Sequence, residues 1–279
     1  MPTLPQFLAI IKSEFPEDRL TWQKNVPTFH PENAEDAAKL FKLANRAGRP
    51  PLAVGSSNDE NGADPSATLR TSLGVCRPQI FITGFGNNID PIGEPFESML
   101  SIRTDRLNDL IELNAPDFYV KVGSGYPLRE LDEHLKAAQL FLPHSRLPYV
   151  GSVGGSIAVN LNAEMHGHDL PLRRYFIWAE VVTPQGDIIK PGSVCFKSVS
   201  GYDIVKLFAG SWGLLGLIVS AAFRVLPLSA EQEYATLRQK EIDRNKLLDS
   251  LKVANRETDA IYSRKIKEKF DPAGVLPVV

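Results

Sequence analysis

A glycine-rich segment in the middle of the chain decides the fold: residues 150–160 read VGSVGGSIAVN. Residues 151–155, GSVGG, predict a glycine-rich turn, because adjacent glycines give the backbone unusual freedom, and they let a ligand approach main-chain N–H groups. Two further glycine-bearing segments flank it, GFGNN at 84–88 and AGSWGLLGLIV at 209–219. Because few ionisable residues stand among these glycines, the pattern predicts a phosphate-binding surface built from backbone amides. The spacing G-x-G-x-x-G is absent at Gly84, which argues against a doubly wound dinucleotide fold.

Short strands and helices alternate around these segments. Apolar spacing predicts a short N-terminal amphipathic helix, a helix over 33–47 with Asn33 as N-cap and Gly48 as C-cap, and a helix over 128–139. Strands are predicted at 50–54, 79–83, 99–102, 118–122 and 215–226, with a hairpin over 179–189. The fold class is therefore mixed α and β.

Composition excludes several classes of protein. The chain has 279 residues, 43% apolar and 23% charged, which suits one or two globular domains. A net charge of −2 offers no electrostatic footprint for nucleic acid. Cys76 and Cys195 build no metal or disulfide framework. The apolar run Leu214–Leu226 has 13 residues, too short to span a bilayer, and no secretory signal is apparent. We expect a cytoplasmic protein that meets membranes only through partners.

Three blocks carry a family resemblance, in the same order and spacing as in the family. Residues 150–160 resemble T-I-G-G-x-I-A-T-N, residues 196–207 (FKSVSGYDIVKL) resemble K-N-x-x-G-Y-D-L-x-K-L, and residues 209–219 resemble x-G-S-E-G-T-L-G-I-I-T. These are motifs of the FAD-linked oxidases of the vanillyl-alcohol oxidase type. Within that family the chain is most similar to the small FAD-binding subunit of glycolate oxidase and to D-lactate dehydrogenases. The resemblance covers roughly residues 25–228.

The resemblance implies an α+β, two-subdomain PCMH-type FAD-binding fold over residues 1–230, with subdomains of about 1–103 and 104–230. Residues 231–279 would then be a charged helical tail, a short C-terminal remnant of the family's cap domain. Their sequence KIKEKFDPAGVL, at 265–276, resembles the family ending L-K-x-x-F-D-P-x-G-I-L-N-P. About 35 residues separate the FAD region from this ending, which is few for a folded cap.

The resemblance also implies FAD as cofactor. Relatives with a histidyl flavin bond carry His in the phosphate loop, where this chain has Asn87 and Asn88, so we expect non-covalent FAD. Ser152 and Asn160 would add side-chain hydrogen bonds, and Leu217–Val219 would hold the adenine through backbone amides. The predicted cofactor-binding residues are Gly84, Phe85, Gly86, Asn87, Asn88, Pro143, His144, Gly151, Ser152, Val153, Gly154, Gly155, Asn160, Gly216, Ile218 and Val219.

Several assignments keep an alternative. We take residues 84–88 as the phosphate loop and 55–78 as an insertion, but VGSSN at 54–58 follows the predicted helix more directly. Pro143-His144 would pass the isoalloxazine edge, or be an ordinary surface pair. His166-Gly167-His168 lacks a complete ligand set, so no metal is expected. Arg173-Arg174 is a solvated pair or a carboxylate clamp. Asp203 is expected to cap a helix over Ile204–Phe208.

In the resembling enzymes a 2-hydroxy acid passes a hydride to flavin, and the base and carboxylate-binding arginines come largely from the cap. No catalytic base can be assigned here, and His144 is the best candidate. The resemblance implies the FAD-binding subunit of a glycolate- or lactate-type oxidoreductase, with a larger flavin subunit and an iron–sulfur subunit as partners. One alternative is a degenerate subunit without turnover, favoured by Trp212 in place of the family Glu and by Pro277 in place of the final Asn. Another is a UDP-N-acetylenolpyruvoylglucosamine reductase-like enzyme, which would need NADPH oxidation and a Ser/Glu catalytic pair, whereas the ending of this chain resembles that of the oxidases.

Overall fold

The N-terminal part of the protein is a four-stranded sheet covered by two helices. The computed structural model describes residues 3–47, 78–194, 203–252 and 254–279. The strands lie in the order β1-β2-β4-β3, with an antiparallel β1–β2 hairpin and parallel pairing of β4 with β2 and β3. The bounds are α1 Leu4–Glu14, β1 Leu20–Gln23, β2 Val26–Phe29, α2 Ala34–Ala47, β3 Ile80–Thr83 and β4 Leu100–Arg103.

Both predicted N-terminal helices are confirmed. In α1, Leu8 and Ile11 are buried, as their spacing requires. At the start of α2 the Asn33 Oδ1 atom accepts a hydrogen bond from the Asp36 N–H at 2.8 Å, which is the predicted N-cap. The predicted C-cap at Gly48, the strand over 50–54, the alternative loop over 54–58 and Cys76 lie outside the described residues.

The second sheet is antiparallel, with strand order β11-β10-β12-β6-β5. Its central strand β12 is buried along nearly its whole length, because α4 packs against it and its Leu217 and Val219 side chains join the apolar core of the first sheet. This confirms the predicted apolar strand and, with β10 and β11, the predicted hairpin. The bounds are β5 Leu110–Asn114, β6 Tyr119–Gly123, α3 Leu128–Ala137, α4 Val153–Ala158, β10 Phe176–Val182, β11 Ile188–Ile189 and β12 Leu217–Arg224.

Two small ribbons complete the fold. Strands β7 (Leu140–Phe141) and β13 (Leu226–Pro227) pair with each other, and β8 (Asn162–Met165) pairs with β9 (His168–Pro171) and β14 (Arg238–Gln239). His166 and Gly167 form the β8–β9 turn, both with positive φ. Within the described ranges, no group of three or more His, Cys, Asp or Glu residues could hold a metal ion. The described helices also include none long and apolar enough to cross a membrane.

The block over 196–207 lies largely outside the described residues, as does Cys195. Its described end, Ile204–Leu207, is a 3-10 turn rather than the predicted helix. The prediction for Asp203 is wrong: its side chain makes no capping hydrogen bond and lies instead 4.0 Å from the Lys206 ammonium. An i,i+3 ion pair thus takes the place of the predicted side-chain cap.

The charged C-terminal segment packs onto both cores. It holds helices α5 (Asn245–Leu251) and α6 (Thr258–Phe270). The Phe270 ring meets the Phe208 ring edge-on at 5.7 Å between centroids. Beyond α6 the buried Asp271 carboxylate accepts hydrogen bonds from the Val275 and Leu276 N–H groups, both at 2.9 Å. The Val275 carbonyl accepts the Ile80 N–H at 2.8 Å, so the segment ends against β3.

The two sheets meet where β6 ends, at Gly123-Ser124-Gly125. The Gly125 N–H donates to the Leu107 carbonyl at 2.7 Å. A Cβ atom on Gly125 would overlap the Thr104 carbonyl oxygen, and one on Gly123 would overlap the Leu107 carbonyl oxygen. Only residues without a side chain allow these main chains to approach so closely.

We predict that Gly125→Ala lowers the free energy of unfolding by about 3 kcal/mol, because backbone must move to admit the methyl group. Gly167→Ala is the matched control: its φ is positive but its surroundings are open, so we expect a loss of only about 1 kcal/mol. Denaturant unfolding of both variants measures the difference. Equal losses would show that the contact at Gly125 does not limit packing.

Candidate functional site

The glycine-bearing segments line one cleft between the two sheets. The cleft holds about 710 Å³ of empty space, part of which is open to solvent. The lining residues belong to four parts of the chain: residues 81–89, Thr104, the 149–159 segment and the 212–218 segment. The predicted phosphate loop, the 150–160 segment and the 209–219 segment thus converge on one site.

The loop over 84–88 follows β3 and is held by side-chain hydrogen bonds. Arg103 Nη2 donates to the Phe85 carbonyl at 2.7 Å, and Asn87 Nδ2 donates to the Val150 carbonyl at 2.8 Å. Asn88 Nδ2 donates to the Tyr149 hydroxyl at 3.2 Å. Across the described part of the chain, the N–H groups of residues 85–88 donate to no protein acceptor. The loop therefore offers free backbone donors on a fixed frame.

The 150–160 segment begins a short helix instead of forming the glycine turn that the sequence predicts. Ser152 is the N-cap of α4, and its Oγ atom accepts the Gly155 N–H at 3.1 Å. The Gly154 N–H donates to the Ser124 carbonyl at 2.7 Å, so the helix is tied to the end of β6. A Cβ atom on Gly84 would overlap Ser152 Oγ, which shows how closely the loop approaches the helix.

The third segment closes the other end of α4. The N–H groups of Gly210 and Trp212 donate to the Ile157 and Ala158 carbonyls, both at 3.0 Å. These bonds satisfy carbonyls that a helix end leaves free. Trp212 and the residue after it have positive φ, and a Cβ at Gly213 would lie 3.3 Å from Ile82 Cβ. The turn therefore packs on β3 and places Trp212 in the cleft wall.

The structure brings most of the predicted cofactor residues to the cleft and leaves five outside its lining. Val153 is fully buried in the core, and the Val219 carbonyl already accepts the Ser124 N–H at 2.9 Å. Asn160 Oδ1 accepts the Arg173 N–H at 3.2 Å and so serves the chain turn after α4. Pro143 and His144 are buried elsewhere. The predicted residues that line the cleft are Gly84, Phe85, Gly86, Asn87, Asn88, Gly151, Ser152, Gly154, Gly155, Gly216 and Ile218.

His144 is neither a surface residue nor placed to act in the cleft. Its side chain is fully buried, and Nε2 lies 2.8 Å from the Leu170 carbonyl, so that nitrogen must carry the hydrogen. Burial lowers the pKa of the imidazole to about 4. Its ring meets Tyr175 edge-on. The neutral ring has a structural partner and no route to a substrate in the cleft, which corrects its assignment as the best candidate base.

Sequence reasoning missed three polar residues of the cleft, Thr83, Tyr149 and Thr104. Tyr149 is 6% exposed and stands directly before the glycine segment. Thr104 is buried, and its Oγ1 atom has no hydrogen-bond partner within the described residues. None of the three carries a motif signal. Only the position of Tyr149, two residues before Gly151, could have drawn attention to it.

The chemistry of the lining is that of neutral hydrogen-bond donors. None of the described lining residues is Asp, Glu, Lys, Arg, His or Cys. Free amides at 85–88, the unpartnered Thr104 hydroxyl and the close approach of glycine backbones suit a phosphate-bearing ligand with apolar rings. These residues fit FAD, which supplies a hydride acceptor when bound. The described lining includes no carboxylate, imidazole, amine or thiol, and its one phenol, Tyr149, has a pKa raised by burial.

Comparison with known proteins agrees with this geometry. The family described as "FAD binding domain" matches residues 64–192. A D-lactate dehydrogenase of Archaeoglobus fulgidus is 29% identical over 73% of this chain and 45% of its own length. Glycolate oxidase subunit GlcD of Bacillus subtilis is 29% identical over 59% of this chain and 35% of its length. Subunit GlcE of Escherichia coli is 26% identical over 49% of this chain and 39% of its length.

A solved structure supports the fold. An alkyldihydroxyacetonephosphate synthase superposes with a TM-score of 0.56 and 18% identity, covering 81% of this chain and 41% of that chain. The chain spans less than half the length of the curated relatives named above. The predicted resemblance, the α+β FAD-binding fold and FAD as cofactor are confirmed.

We predict that the bound FAD is non-covalent. The described lining offers no His or Cys side chain for a flavin bond, and Asn87 and Asn88 stand in the loop. Acid denaturation of the purified protein followed by centrifugation should leave the flavin in the supernatant. Yellow colour that stays with the pellet would contradict this.

We also predict that Gly155→Val abolishes flavin binding. A Cβ at Gly155 would lie 2.9 Å from the Tyr149 hydroxyl and 3.2 Å from Ser152 Oγ, so the larger side chain drives Tyr149 into the cleft. Flavin content per protein, read from the visible absorbance, measures the loss. The far-UV circular dichroism should stay close to wild type. Full flavin occupancy in the variant would show that this turn is not part of the site.

Proposed function

We propose that this chain is a member of the FAD-linked oxidases and forms the FAD-binding subunit of an oxidoreductase that acts on a 2-hydroxy acid such as glycolate or lactate. Electrons would pass from the flavin to a partner subunit. The D-lactate dehydrogenase and glycolate oxidase relatives support the substrate class. The chain's own residues bind and orient the cofactor.

The observation that carries the subunit proposal is the neutral lining of the cleft. Oxidation of a 2-hydroxy acid needs a base for the hydroxyl proton and cations for the carboxylate. The described lining offers neither, and His144 is neutral and buried. These groups must then come from outside this cleft, and a partner subunit is the simplest source.

The charged C-terminal segment supports the same conclusion. In the family the cap supplies the substrate-binding groups, whereas here α6 packs against the core of the second sheet through Ile266 and Phe270. We propose that this segment, residues 231–279, is a vestigial cap and that residues 1–230 form the FAD-binding unit. The partners we propose are a larger flavin subunit and an iron–sulfur subunit.

A subunit that binds FAD without turnover is the second candidate, and Trp212 favours it. The indole lines the cleft at the position where the family has Glu, and the Arg244 guanidinium lies 5.9 Å from the centre of its ring. A bulky ring in place of a carboxylate removes one ionisable group from the cleft. In this case flavin would bind but no hydroxy acid would reduce it in any complex.

We predict that the isolated chain reduces its flavin slowly with glycolate or D-lactate. Co-expression with its genomic neighbours should raise the anaerobic reduction rate by about 100-fold or more, the contribution typical of a positioned acid–base group. Stopped-flow absorbance of the flavin measures both rates, with the complex lacking substrate as the control. If the isolated monomer matches the complex, the partner proposal is wrong; if neither is reduced, the chain binds FAD without turnover.

A further inference from the structure

Tyr149 stands over the glycine segment inside the cleft. Its side chain is 6% exposed and lines the cleft. A Cβ atom on Gly151 would overlap its ring, and one on Gly155 would lie 2.9 Å from its hydroxyl oxygen. The absence of side chains at these glycines therefore makes room for the tyrosine ring as well as for a ligand. The main chain at Gly151 and Gly155 packs closely against the Tyr149 side chain and holds it in place.

The hydroxyl has one hydrogen bond and one unused donor. Asn88 Nδ2 donates to the oxygen at 3.2 Å, which occupies one acceptor position. Within the described residues the Tyr149 hydroxyl accepts the Asn88 bond and donates its hydrogen to no protein acceptor. Burial raises the pKa of the phenol, so the hydrogen stays in place at physiological pH. A buried donor without an acceptor is costly, which points to an acceptor supplied by a ligand.

The lack of basic side chains in the described lining indicates which ligand atom accepts the hydrogen bond from Tyr149. The pyrophosphate of FAD is the anionic part of the cofactor, and the described lining includes no Lys, Arg or His to meet it. Its oxygens must be stabilised by neutral donors. Asn88 belongs to the loop whose N–H groups at 85–88 are free, so the Tyr149 hydroxyl stands beside the principal group of backbone donors.

We propose that the Tyr149 hydroxyl donates a hydrogen bond to a pyrophosphate oxygen of FAD, and that Asn88 orients it by donating to its oxygen. The proposal rests on FAD binding in this cleft and names a cofactor-binding residue that no motif identifies. Tyr149 replaces part of the charge compensation that a basic side chain would give. It binds the cofactor and takes no part in hydride transfer.

The test compares Tyr149→Phe with the wild type in FAD affinity and in the spectrum of the bound flavin. A hydrogen bond to a charged group is worth enough that its loss should weaken FAD binding roughly 10- to 100-fold. The absorption bands of the bound flavin should not shift, because the isoalloxazine keeps its surroundings. Tyr175→Phe is the matched control: Tyr175 is a buried tyrosine whose hydroxyl contacts Tyr234, outside the cleft lining. It should leave FAD affinity unchanged.

A second variant keeps the test decisive if Tyr149→Phe folds poorly. In Asn88→Asp the carboxylate accepts the phenolic hydrogen and withdraws it from the ligand, so FAD binding should again weaken, and by more than in Asn87→Asp, which adds the same charge to the loop at a side chain that bonds the Val150 carbonyl instead. Thermal melting of the apo variants checks that each is folded.

Wild-type FAD affinity in Tyr149→Phe, or in Asn88→Asp, overturns the inference while leaving FAD binding intact. A loss accompanied by shifted flavin bands assigns the hydroxyl to the isoalloxazine and also overturns it. A wild-type protein that binds no FAD overturns both this inference and the proposed function.

Discussion

The main-chain contacts of Ser124 hold the cleft together. Its N–H donates to the Val219 carbonyl at 2.9 Å, and its carbonyl accepts the Gly154 N–H at 2.7 Å. One residue thus joins the central strand of the second sheet to the helix that carries the glycine pair. The neighbouring Gly125 N–H bonds to Leu107, which brings in the chain that follows β4 of the first sheet. Since all three bonds use backbone atoms, the cleft depends on how closely the chains approach and only weakly on side-chain identity.

This dependence explains which parts of the structure the sequence could predict. Helices α1 and α2 follow from apolar spacing and a side-chain cap, and β12 follows from an unbroken apolar run; these are local signals. Short strands such as β8, β9 and β14 carry no period long enough to detect, because each has only two to four residues. The start of α4 was expected to be a turn because two glycines disfavour a helix. The Ser152 cap and the bond from Gly154 to Ser124 override that preference.

The same distinction between local sequence signals and tertiary contacts applies to the residues of the cleft. The glycine segments could be assigned to one cleft from the family motifs, since backbone donors need only glycine and order along the chain. Side-chain roles could not be assigned in this way. Asn160 and His144 satisfy neighbouring backbone groups, at Arg173 and Leu170, and those partners come from other parts of the chain. Tyr149 and Thr104 reach the cleft through tertiary packing alone.

A cleft lined by neutral groups must be rigid in order to bind an anion tightly. Backbone and hydroxyl dipoles stabilise an anion well only when they already point at it, because turning them on binding costs free energy. The loop over 84–88 is held by side-chain hydrogen bonds from Arg103, Asn87 and Asn88. Arg103 bonds the loop's own backbone at the Phe85 carbonyl, so its charge fixes the loop and adds to the positive potential around the amides. Arg103 therefore supports the loop, and oriented backbone and hydroxyl dipoles bind the ligand. Such an arrangement suits tight binding of a cofactor that stays in place.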